Sequence, residues 1–225
     1  MRVEPIFQNR TEAGKRLAER VKQLVRDPDA LILALPRGGV PVGLELARAL
    51  NAELDVFLVR KLGLPGEEEL AIGAIASGGV RVLNESLIRE LQLSPALIDQ
   101  IAAREEPELK RREALYRQGR PAIAAHGRTV ILVDDGLATG ASMKAACQAV
   151  RVQQPKRLIV AVPVAAQETC WEFQRLADEI VCLATPEPFM AVGIWYEDFE
   201  QISDEEVQRM LKEARSLAPQ SPGSA

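Results

Sequence analysis

The feature that most constrains this chain is a repeated unit: a short unbroken apolar run, a loop of small or charged residues, then an amphipathic segment. "ALILAL" (residues 30–35) leads through "PRGG" into "VPVGLELARAL", and "TVILV" (residues 129–133) leads through "DDGLATG" into "ASMKAACQAV". A strand that is apolar on both faces is covered on both faces, which a parallel sheet between helical layers provides. Further strands are expected at 54–59, 71–76, "VRVL" (80–83), 157–162 and 179–183, and helices at 11–25, 140–150, 167–177 and 204–214. Residues 94–117 form a charged helical stretch that Pro107 kinks or divides. The fold class is therefore α/β, an open, mainly parallel twisted sheet flanked by helices. With 47% hydrophobic residues in 225, the chain can bury a full core, and residues 1–215 read as a single domain. The Pro-, Ser- and Gly-rich residues 216–225 read as a disordered tail.

Composition narrows the function. A net charge of −4 argues against nucleic acid or an anionic membrane as partner. No apolar run approaches the roughly 20 residues of a membrane-spanning helix, and "MRVEPIFQNR" lacks the apolar core of a secretory signal. Cys147, Cys170 and Cys182 have no metal-ligand spacing and read as reduced, structural cysteines. The expected localisation is cytoplasmic. His126 is the sole histidine and sits in a turn-like stretch, which disfavours a His-based triad or a His-ligated metal.

Ligands of open parallel sheets bind at the carboxyl ends of strands, and three such ends carry unusual loops. In "VILVDDGLATGAS" a buried strand ends in Asp134 and Asp135, followed by small residues that open a helix. Small residues let backbone N–H groups approach an anion, and the helix N-terminus adds a favourable dipole. Thr139 and Ser142 can add hydroxyls to this cup. Two adjacent carboxylates would repel the same anion but suit a vicinal diol. A diol and a phosphate one sugar apart describe a ribose 5-phosphate. The plainer alternatives are a helix cap by Thr139 or Ser142, or an acidic cluster of the phosphorelay receiver kind, whose pair would sit after the first strand.

The stretch resembles the phosphoribosyl diphosphate (PRPP) signature of the type I phosphoribosyltransferases, and the likeness runs from residue 30 to about 199. The resemblance implies that Asp134 and Asp135 hold the ribose hydroxyls, while Gly136, Ala138, Thr139, Gly140, Ala141 and Ser142 bind the 5-phosphate. "PRGG" is similar to the family's diphosphate loop, often with a cis non-proline peptide. There Arg37 would pair the diphosphate, and Gly38 and Gly39 would permit unusual dihedrals and turn their N–H groups to the anion. "RKLGLPGEEE" resembles the mobile catalytic loop of adenine phosphoribosyltransferases, with Arg60 and Lys61 on the leaving diphosphate and Gly63, Pro65 and Gly66 shaping a lid. Glu69 is a candidate general base there, set against a plain solvated acidic run.

The implied activity is transfer of the 5-phosphoribosyl group from PRPP to a nitrogenous, nucleobase-like acceptor, with Arg37, Lys61, Asp134 and Asp135 as the catalytic set. Mg²⁺ would arrive with the diphosphate, since the sequence shows no protein-only cage. A homodimer is compatible with this reading. The other class of reading is a PRPP-binding regulator that keeps the fold without the chemistry. Where hypoxanthine-guanine enzymes place an Asp before the motif's Thr, this chain has Ala138, so the acceptor's identity is not legible. "PFMAVGIWYEDF" resembles those enzymes' hood, placed at residues 184–202, with Phe189, Val192 and Trp195 over the acceptor. The alternative for Trp195 is a small satellite core under the C-terminal helix.

Overall fold

The structure, a computed structural model, describes residues 4–217, apart from the side chains of Glu68 and Glu69. Strands β1 (Leu31–Ala34), β2 (Glu53–Val56), β6 (Thr129–Val133), β7 (Arg157–Val164) and β8 (Glu179–Ala184) form a parallel sheet in the order β2-β1-β6-β7-β8. Strands β3 (Val59–Leu64), β4 (Glu67–Ala76) and β5 (Val80–Leu83) form a separate antiparallel sheet.

Period-two alternation explains the layers. Ile32, Ala34, Ile131 and Val133 face one core with helices α1 (Arg10–Leu24), α2 (Gly39–Leu50) and α7 (Asp204–Leu217). Leu31, Leu33, Val130 and Leu132 face the other, with α5 (Ala141–Val152) and α6 (Gln167–Phe173). The expected parallel, helix-flanked α/β fold is the one observed. The short helix α3 (Glu85–Glu90), capped by the Asn84 side chain, had no counterpart in the sequence reading.

Three expectations are corrected. Residues 60–69 are not an open loop: β3 and β4 pair as a hairpin that turns at Pro65 and Gly66. Pro65 and Gly66 make the two-residue turn, and Gly66 adopts φ +88°. Of the kink or division expected at Pro107, division is overturned: helix α4 (Pro95–Arg117) runs through it, supported by Glu–Arg and Glu–Lys pairs one turn apart. Ser216 and Leu217 belong to α7, and the rest of the expected tail lies outside the described residues.

The order of the main sheet fixes where a ligand can sit. From β1 the chain moves outward to β2 and then returns to the other side of β1 as β6. The β1 and β6 ends are therefore neighbours, Ala34 opposite Val133, and they mark the point where the strand order reverses. "PRGG" and "DDGLATGAS" leave the sheet there side by side.

Candidate active site

The two loops pack against each other. The Pro36–Arg37 peptide is cis. Gly38 has ordinary right-handed dihedrals, φ −60° and ψ −34°, so glycine is needed there for closeness and not for an unusual conformation. The nearest atoms to a side chain at Gly38 would be those of the Asp135 carboxylate, and at Gly39 the backbone of Val133 and Asp134. The Gly39 N–H donates to Leu35 O at 3.0 Å, which corrects the expectation that it faces an anion. That bond closes the turn into α2.

Asp134 Oδ1 accepts from the Asp135 N–H at 2.9 Å. Asp135 Oδ2 accepts from Arg10 Nε at 2.8 Å. Burial pushes the Asp134 carboxyl well above its ordinary range, and the neighbouring Asp135 charge adds to this. Burial also raises Asp135, against the pull of Arg10. The carboxyls titrate as a pair, with the negative charge favoured on Asp135 beside its guanidinium and the proton on Asp134.

After the acidic pair the loop is pinned from below. Leu137 N–H donates to Val164 O at 2.9 Å, and Ala166 N–H to Leu137 O at 3.0 Å. The Thr169 hydroxyl on α6 donates to Ala138 O at 2.6 Å. Gly140 is left-handed at φ +67° and lies against Phe173, which leaves no room for a side chain. It is also the N-cap of α5 and has no capping side chain; the Thr139 hydroxyl accepts from the Ala141 N–H at a long 3.5 Å. A cavity of about 240 Å³ lies over this turn, lined by Lys61, Asp134, residues 136–143 and Val192. Its wall combines small residues, backbone at a helix start, one exposed cation and one carboxyl.

The other cations are placed unequally. Arg60 donates through Nε to Glu105 on α4 at 3.0 Å, and this bond holds the Glu105 carboxyl below its usual range. Arg60 also lines a smaller cavity of about 110 Å³ with Pro36, Arg112, Asp134 and Ser142. Arg37 lines neither cavity; its Nη1 lies 3.7 Å from Asp204 Oδ1 on α7. The acidic first turn of α7 competes for this cation, so the structure groups Asp134, Ser142, Lys61 and Arg60 and leaves the Arg37 side chain aside. The Glu69 side chain lies outside the described residues.

The expected hood divides as well. Val192 lines the main cavity, and its Cγ1 occupies the space a Cβ on Gly136 would need. Trp195 is 6% exposed, packed with Phe7, Ala13, Val164 and Tyr196, and Phe189 lies 6.2 Å from its ring. A face so covered cannot stack on a ligand, so Trp195 is packing. Its satellite core lies under the N-terminal segment and not under α7, because the Ile6 and Phe7 N–H groups both donate to Trp195 O.

Arg10, Glu105 and Thr169 had no local signal: they meet Asp135, Arg60 and Ala138 across 125, 45 and 31 positions. Cys170 and Cys182 form a disulfide between α6 and β8, which corrects the expectation that all three cysteines are reduced. The cytoplasmic expectation drew partly on reduced cysteines, and this bond removes that support. Cys147 is free and buried, and burial pushes its thiol up to about 12.

A family model described as the phosphoribosyl transferase domain matches residues 4–183. The chain belongs to the phosphoribosyl transferase domain family. Two Mycobacterium tuberculosis proteins, from strains CDC 1551 and H37Rv and named provisionally as phosphoribosyl transferases, are each 46% identical over 209 residues. That match takes in 93% of this chain but 47% of each relative, so this phosphoribosyl transferase domain spans about half their length. A Thermus thermophilus protein of known crystal structure, TT1426, is 45% identical with a TM-score of 0.84. The likeness covers 92% of this chain and 98% of that one.

Proposed function

We propose that this phosphoribosyl transferase domain moves the 5-phosphoribosyl group from PRPP to a nitrogenous, nucleobase-like acceptor and releases diphosphate. The observation that carries the reading is the convergence of Asp134, the 136–143 turn and Lys61 on one cavity. The turn and the start of α5 suit the 5-phosphate. The acidic pair suits the ribose diol through charge-assisted hydrogen bonds. Displacement at ribose C1 builds negative charge on the departing diphosphate, which Lys61 and Arg60 are near enough to receive. Arg37 joins them only if it leaves Asp204.

Among the described residues no group of three or more His, Cys, Asp or Glu is placed to hold a metal. Mg²⁺ would come with the substrate's diphosphate and neutralise charge on the leaving group. The acceptor side is the Val192 wall of the cavity, which is also lined by Ala138, a residue that cannot donate a proton to a ring. Catalysis here is positioning and charge stabilisation, with no covalent intermediate on the protein. The partners proposed are PRPP and a small acceptor. No helix of the described residues is long and apolar enough to cross a membrane.

The test is incubation with PRPP, Mg²⁺ and a panel of nucleobases, following diphosphate release. Release with at least one base supports the enzyme. PRPP binding without release for any base would instead favour a PRPP-binding regulator, and no PRPP binding would overturn both.

A further inference from the structure

Arg10 stands at the first residue of α1, far from the acidic loop in sequence, yet its side chain is almost wholly enclosed at 10% exposure. It contacts three things at once. Nε meets Asp135 Oδ2 at 2.8 Å, Nη1 meets the Glu200 carbonyl at 2.8 Å, and the guanidinium carbon lies 3.7 Å over the Phe199 ring. Phe199 in turn packs on Tyr196, whose hydroxyl donates to the Asp135 carbonyl at 2.5 Å. The segment carrying Arg10 is itself laced to the hood, since Glu197 N–H donates to Phe7 O and Asp198 N–H to Gln8 O, both at 2.9 Å. A cation enclosed with this many directed contacts has one orientation, and so does the carboxylate it holds.

We propose that Arg10 is a positioning residue of this site: by occupying Asp135 Oδ2 it leaves Asp135 Oδ1 and Asp134 as the acceptors for a ribose diol, and it couples that arrangement to the hood through Glu200 and Phe199. The inference rests on the phosphoribosyl reading for the ligand, but the Arg10–Asp135 relationship is independent of it. The groups that face Asp135 are few. Asp134 lies beside it, Arg10 comes from α1, the Tyr196 hydroxyl comes from the hood, and "PRGG" brings the uncharged Gly38, while Arg37 is turned to Asp204. Arg10 is thus the cation that pulls the Asp135 carboxyl down against burial.

The experiment compares the parent with Arg10→Lys and Arg10→Gln, first without ligand. Carboxyl carbon NMR, assigned with Asp134→Asn, follows the Asp135 titration. Arg10→Gln is expected to move it upward by about one pH unit or more, the size of a lost neighbouring opposite charge. Arg10→Lys, which keeps charge but not the fork, should move it less. In PRPP titrations the pH at which binding fails should rise in the same order, with affinity at neutral pH falling about tenfold or more for Arg10→Gln. An Asp135 titration that stays put in both variants overturns the assignment, as does loss of folding in Arg10→Lys, which would make Arg10 a scaffold residue. If the parent binds no PRPP while the Asp135 titration still follows Arg10, the phosphoribosyl reading fails and the Arg10–Asp135 link stands.

Discussion

A Cβ placed on Gly38 would lie 2.0 Å from Asp135 Oδ2, the same oxygen that Arg10 holds. The diphosphate-type loop and the acidic loop therefore share one contact point, fixed from the far side by a cation. Gly38→Ala cannot be absorbed by swinging a free carboxylate aside, because Arg10 pins it. Overpacking of this kind costs about 1–3 kcal/mol, and the variant should lose that much stability in a urea melt together with PRPP affinity in calorimetry. A variant as stable as the parent would show that the loops are not in contact in solution.

Asp134 carries opposite expectations for stability and function. Its folded-state carboxyl is raised above the ordinary 3.8 by burial and by Asp135. A raised acid binds its proton more tightly in the folded state, so stability falls as pH climbs from 3.8 through the raised value. Asp134→Asn removes that loss while its side-chain oxygen can still accept the Asp135 N–H. The variant should melt higher than the parent near neutral pH and converge with it below pH 3.8. PRPP affinity should fall by about 0.5–1.5 kcal/mol, one hydrogen bond to an uncharged group. Parallel melting curves at all pH values would count against the buried-carboxyl description.

Under the proposed function, Glu105 would compete with the diphosphate for Arg60, which it pairs in the structure. The pair is partly exposed, Arg60 at 31% and Glu105 at 15% of their side chains, so its worth is about 0.2–1 kcal/mol. In Glu105→Gln the guanidinium is released toward the smaller cavity it already lines. PRPP should then bind up to about fivefold tighter, the same energy read as affinity, while ribose 5-phosphate, which lacks diphosphate, should bind unchanged. Equal gains for both ligands would place Arg60 at the 5-phosphate.

The Cys170–Cys182 bond closes a loop of separation 12 beside the 136–143 turn, since Thr169 and Phe173 on the same helix hold Ala138 and Gly140. A loop of that size contributes about 3 kcal/mol through the unfolded state. Melting with and without reductant should show a drop in the parent and none in Cys170→Ser. If the parent melts identically in both, the thiols are reduced in solution.

Local pattern alone determined the layers and the loops that matter. Continuous apolar runs such as residues 30–35 specify strands covered on both faces, and "DDGLATGAS" announces small residues and carboxylates at a strand end. Those are properties of neighbours along the chain, and strand β6 fell at Thr129–Val133 as its residues predict. Tertiary structure decided which charges meet. Lys61 and Asp134 share a cavity because the β3–β4 hairpin stands beside the β6 end. Arg37, in the most suggestive motif position, turns to Asp204, while the unremarked Arg10 reaches Asp135. Trp195 faces inward because the N-terminal segment covers it, and two cysteines on α6 and β8 come within bonding distance. The physical reason is common to all five: a side chain's partner is set by which elements pack together, and a long-range contact leaves no periodicity in the sequence around either residue.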